Sequence, residues 1–67
     1  LPPKIRNLLE DLKRAGFSEV KSAGKGSHRK WVHRDFPGAV TISGKLNDDA
    51  KPYQIRQVDR AVEQVKK

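Results

Sequence analysis

The chain predicts an α+β fold in the order α-β-β-β-α, a three-stranded antiparallel sheet with two helices on one face. Two observations carry this: a helical apolar stripe at each end of the chain, and three short strand-like runs joined by turn residues between them. Each helix has one apolar face, so both should bury it against the same sheet. With 67 residues the chain is expected to form one domain spanning 1–67. A chain near this size buries only roughly 60% of its unfolded surface. Any active site should therefore be shallow, and a large partner suits it better than an enclosed small ligand.

Residues 4–15 read as the first helix, with Ile5, Leu8, Leu9 and Leu12 at i, i+3, i+4 and i+7. Pro2 and Pro3 suit its start and Gly16 its C-terminal stop; Glu10 and Arg14 are spaced as an i, i+4 pair. Phe17 to Ser22 alternates as a short polar strand, and Ala23 to Ser27 forms a glycine turn. His28 to Arg34 is the second strand. Asp35-Phe36-Pro37-Gly38 turns the chain back into a third, Ala39 to Ser43. Such short turns argue for an antiparallel meander. After a polar loop from Gly44 to Lys51, Pro52 opens the last helix, whose stripe is Ile55, Val58, Ala61, Val62 and Val65.

Fifteen Lys and Arg against eight Asp and Glu give a net charge of +7. That surplus favours a polyanionic or acidic-surfaced partner, although a solvated basic surface alone could produce it. The basic residues cluster, with Lys21, Lys25, Arg29, Lys30 and Arg34 lying between Glu19 and Asp35, and this favours nucleic acid. Cysteine is absent, which excludes disulfides and thiolate metal sites and fits a reducing compartment, so the cytoplasm is expected. Two histidines and scattered acids make poor zinc ligands at these spacings. Neither a metal nor a small-molecule cofactor is expected. No apolar run approaches the ~20 residues that span a bilayer, and no signal-peptide pattern opens the chain, so no membrane partner is expected. The first residue is Leu1 rather than methionine, and a trimmed native start is expected.

The run Gly24-Lys25-Gly26-Ser27-His28-Arg29-Lys30-Trp31-Val32-His33 holds the candidate chemistry. It sets an imidazole directly after a cationic glycine turn. Glycine allows close backbone approach to a ligand, and histidine both takes and gives protons near neutrality. By strand parity Arg29, Trp31 and His33 share one face and His28, Lys30 and Val32 the other. Placing Trp31 under the helices with Val40 and Ile42 leaves His28 and Lys30 pointing away from the core. The converse arrangement buries Val32 and offers Trp31 as a base-stacking platform.

Cleaving RNA needs little equipment, because the ribose 2′-hydroxyl is the nucleophile. His28 can supply the proton transfer, and Lys25, Arg29 or Lys30 the charge that stabilises the phosphate. An exposed strand histidine without a role is the competing reading. His33 should pack or hydrogen-bond near the sheet edge. Ser27 beside His28 does not make a serine hydrolase, since adjacent residues of a strand point apart and no carboxylate is placed to orient the imidazole. Asp48 and Asp49 read as solvated loop acids. Lys51 lies beside the N-terminus of the last helix, where free N–H groups favour phosphate.

Taken in order, these segments resemble the HicA toxins, also called the YcfA-like family, over nearly the whole chain. Gly26-Ser27-His28 matches the Gly-Ser-His core, and Trp31 and His33 the aromatic and histidine that follow. Leu8-Leu9 to Ala15-Gly16-Phe17 matches the first helix and its exit, Val40-Thr41-Ile42 the third strand, and Lys51-Pro52 the start of the second helix. The Asp48 to Gln54 run looks like one subgroup of the family. The chain departs from the pattern at Ser43-Gly44-Lys45, where many members carry Pro and another His. It departs again at Tyr53-Gln54-Ile55-Arg56, which replaces Gly-Thr-Leu-Arg; both positions bear on substrate preference and antitoxin contact.

The resemblance implies a fold similar to double-stranded RNA-binding domains. It implies the toxin of a type II toxin–antitoxin system, a ribosome-independent, metal-free mRNA interferase whose essential histidine falls on His28. A cognate HicB antitoxin would block the RNA-cleaving surface. In that fold the first helix, the loop between the first two strands and the start of the last helix contact RNA, largely through backbone and 2′-hydroxyls. Lys25, Gly26, Ser27, Arg29, Lys30 and Lys51 are thus the predicted RNA-binding residues. A non-catalytic double-stranded RNA-binding module is the alternative, and a basic face that docks an acidic protein is a third reading.

Overall fold

The computed structural model describes residues 2–20 and 28–66. The expected glycine turn, and with it Lys25, Gly26 and Ser27, lies outside the described residues. The elements run α1 (Ile5–Arg14), β1 (Ser18–Val20), β2 (Arg29–His33), β3 (Phe36–Ile42) and α2 (Pro52–Val65). This is the predicted α-β-β-β-α order, with β2 between antiparallel neighbours β1 and β3.

The apolar stripes decide the layering. Ile5, Leu8, Leu9 and Leu12 of α1 and Val58, Ala61 and Val65 of α2 bury against Trp31, Val40 and Ile42, with Phe17 and Ala50 closing the ends. Trp31 is only 2% exposed, so parity places the tryptophan correctly and the stacking-platform arrangement is excluded. Its indole Nε1 is the buried polar side-chain atom that has no hydrogen-bond partner among the described residues. An unsatisfied buried donor costs about 1–3 kcal/mol, which the large apolar area of the ring offsets.

Helix ends follow from local chemistry. Asn7 Oδ1 accepts from the Lys4 N–H at 2.8 Å, and the Asn7 N–H donates back to the Lys4 carbonyl at 2.9 Å. The following donors of α1 are met from the distant loop: Ile5 N–H by the Asp48 carbonyl at 2.9 Å and Arg6 N–H by the Leu46 carbonyl at 3.1 Å. At the other end Gly16 takes φ +100°. There the Gly16 N–H reaches the Lys13 carbonyl at 3.0 Å and the Phe17 N–H the Leu12 carbonyl at 3.0 Å, the paired bonds of a Schellman stop. Arg14 forms its ion pair with Asp11, at 3.9 Å, rather than with the expected Glu10.

The second hairpin differs from expectation. The turn falls on Arg34 and Asp35, so that Phe36 pairs with His33, and Phe36-Pro37-Gly38 belongs to β3. The register shifts between Trp31 and His33, where Pro37, Gly38 and Ala39 stand opposite Val32. Neither turn residue has positive φ, whereas Gly38 has φ +78°. A two-residue turn without positive φ matches strand twist poorly, and the glycine-bearing bulge takes up the mismatch. The early pairing also carries the Phe36 ring to Phe17, edge-on at a centroid distance of 5.6 Å.

Candidate functional site

Strand register builds the site. Arg29 pairs with Ile42 and Lys30 with Thr41, so continuing one residue outward sets His28 opposite Ser43. Because Trp31, Val40 and Ile42 point into the core, His28, Lys30, Thr41 and Ser43 project from the face the helices leave bare. His28 and Lys30 are both exposed, as parity predicts. Among the described residues the His28 imidazole has one hydrogen-bond partner, Ser43 Oγ, at 3.0 Å from Nδ1.

Ser43 is itself tied to the last helix. Gln54, 4% exposed, donates Nε2 to the Ser43 carbonyl at 2.9 Å, while its Oε1 accepts from the Lys51 N–H at 2.9 Å. An unbroken set of contacts thus joins Lys51, Gln54, Ser43 and His28. A cleft of about 200 Å³ opens beside Ser43 and Gln54, with Asp48, Asp49, Lys51 and Tyr53 also on its wall. A larger cleft of about 700 Å³ lies at the opposite end of β2, against His33, Arg34 and Asp35, and holds none of the predicted site residues.

The other predicted residues fall as follows. Arg29 lies on the helix-facing side and is half-buried; its Nη1 donates to the Gly44 carbonyl at 3.2 Å. Lys51 is exposed at the N-cap of α2. The helix start beside it offers few donors to an anion, since Pro52 has no N–H and those of Gln54 and Ile55 bond the Lys51 carbonyl at 2.9 and 3.1 Å. Charge at Lys51, rather than the helix end, is what remains for a phosphate. His33 packs on Phe17 at a centroid distance of 5.0 Å and accepts the Asp35 N–H on Nδ1 at 2.9 Å, the structural role expected of it. Asp49 pairs with Lys4 at 2.6 Å and Asp48 Oδ2 accepts the Lys45 N–H at 3.1 Å, so both acids pin the loop. Among the described residues no three His, Cys, Asp or Glu gather as a metal site, and no helix is long and apolar enough to cross a membrane.

Ser43 and Gln54 are the residues that sequence reasoning missed. Each sits where the chain departs from the family pattern.

The chain is basic and α+β, with an exposed histidine at the mouth of its central strand. The family model described as the HicA toxin of bacterial toxin–antitoxin systems matches residues 5–66. The chain belongs to the HicA toxin family, which gives it a toxin role and an antitoxin as partner. No curated protein and no solved structure matches it.

Proposed function

We propose that this toxin is a ribosome-independent endoribonuclease, an mRNA interferase that uses His28 as its proton-transfer group. The observation that carries the reading is the exposed His28 ring, bonded through Nδ1 to Ser43 at 3.0 Å and standing beside exposed Lys30 on the bare face of the sheet. The ribose 2′-oxygen bonds to phosphorus and the bond from phosphorus to the 5′-oxygen breaks, giving a 2′,3′-cyclic phosphate and a 5′-hydroxyl. His28 Nε2 takes the 2′-hydroxyl proton, and the leaving 5′-oxygen is protonated by solvent or a lysine. One such group contributes about 10²- to 10⁴-fold, so turnover is modest. Because the substrate carries its own nucleophile, this reading calls for no cofactor.

Lys30, with Lys25, Gly26 and Ser27 before it in sequence, holds the phosphate backbone; Arg29 and Lys51 add charge on either side. In this reading residues 1–67 act as one domain with a double-stranded RNA-binding-domain-like fold, in the cytoplasm, and a HicB-type antitoxin covers the basic face. The test is purified protein with RNA in the presence of a chelator. Wild type should leave fragments, and His28→Ala should leave RNA intact while its thermal transition stays in place. Undiminished cleavage by His28→Ala would remove the histidine from the chemistry. RNA that is bound but intact with wild type would favour the non-catalytic double-stranded RNA-binding module.

A further inference from the structure

We infer that Ser43 is a positioning residue for His28, and that Gln54 fixes Ser43 for that purpose. The inference rests on the proposed role of His28 in proton transfer.

An exposed imidazole on a strand end would ordinarily rotate about both of its side-chain bonds, and a proton acceptor that rotates is seldom aligned with its substrate. Here Nδ1 is held by Ser43 Oγ at 3.0 Å. Ser43 lies one residue beyond the end of β3, where the ladder no longer restrains the backbone. Two contacts restrain it instead. The buried Gln54 amide takes the Ser43 carbonyl at 2.9 Å, and the Arg29 guanidinium takes the next carbonyl, that of Gly44, at 3.2 Å. Gln54 cannot swing away, because its Oε1 is engaged by the Lys51 N–H at 2.9 Å.

The hydroxyl suits the chemistry, since it can either donate or accept. When Nδ1–H donates to Oγ, Nε2 carries the lone pair needed to remove a proton from a 2′-hydroxyl. The same bond persists when Nε2 has gained that proton, so one ring orientation serves both the base and its conjugate acid. Ser43 and Gln54 stand at two separate departures from the family pattern, yet they bond to each other. They act as one device.

The experiment compares wild type, Ser43→Ala, Ser43→Thr and His28→Ala, reading kcat and KM on RNA, the thermal transition, and the ring ¹⁵N signals of His28. Ser43→Ala should lower kcat roughly tenfold with KM and melting unchanged, as expected for lost alignment, and should alter the balance of His28 tautomers. Ser43→Thr should restore both. Wild-type kcat and ring signals in Ser43→Ala, with His28→Ala inactive, would overturn the inference alone. So would a loss of activity that follows a lowered melting temperature and is not rescued by threonine. If His28→Ala cleaves normally, the underlying catalytic reading fails instead, and the ring signals still decide whether Ser43 orients the imidazole.

Discussion

Gln54 donates its side-chain amide to the Ser43 carbonyl at 2.9 Å, bridging the first turn of α2 and the end of β3. The same side chain closes the helix by accepting the Lys51 N–H. Structure and candidate chemistry therefore share one buried polar group, and its removal has two separable effects.

Gln54→Ala should cost about 1–3 kcal/mol, because it leaves the Ser43 carbonyl and the Lys51 N–H without their partners. Urea unfolding should show a lower midpoint with an unchanged slope.

Gly16→Ala should destabilise by more than about 1 kcal/mol, the scale of the left-handed penalty for a residue with a β-carbon. Crowding adds to this, since the new methyl would stand 3.1 Å from His33 Nε2. A thermal melt checks it, and an unchanged transition would show that the helix stop can be rebuilt.

Trp31→Ala should abolish cooperative unfolding. Removing a buried aromatic costs about 3–5 kcal/mol, comparable to the whole stability expected of a small domain at roughly 0.05–0.15 kcal/mol per residue. Trp31→Phe should be far milder, since it also removes the indole N–H that has no partner among the described residues. Circular dichroism across a denaturant series distinguishes the two variants.

Lys30→Gln should weaken RNA binding about equally across sequences and reduce the salt slope of log K by roughly 0.7–0.9, the contribution of one phosphate contact. Its stability should stay within about 0.5 kcal/mol of wild type, as for most exposed positions. A titration of affinity against salt checks both statements, and an unchanged slope would take Lys30 off the interface.

Much of this was legible in the residues because the signals are local or periodic. Trp31 could be assigned to the core by parity against Val40 and Ile42, and that assignment left His28 and Lys30 outside. Gly16 announced the helix stop, since only a glycine accepts its φ of +100° at little cost. The second hairpin was less legible. Pro37-Gly38 carries the composition of a turn, yet the reversal falls on Arg34 and Asp35, with Phe36 packed edge-on against Phe17. Ser43 and Gln54 were the hardest to find, because their contact joins a strand end to a helix start and leaves no spacing signature. Lys51-Pro52-Tyr53-Gln54 did hold a clue, since a glutamine at the third helical position is a known partner for the capping backbone.

The carbonyls of Leu46 and Asp48 that receive the opening N–H groups of α1 tie the start of the first helix to a segment distant in sequence. Helix initiation is unfavourable for any short segment by itself, and here its first donors are met by the segment between β3 and α2.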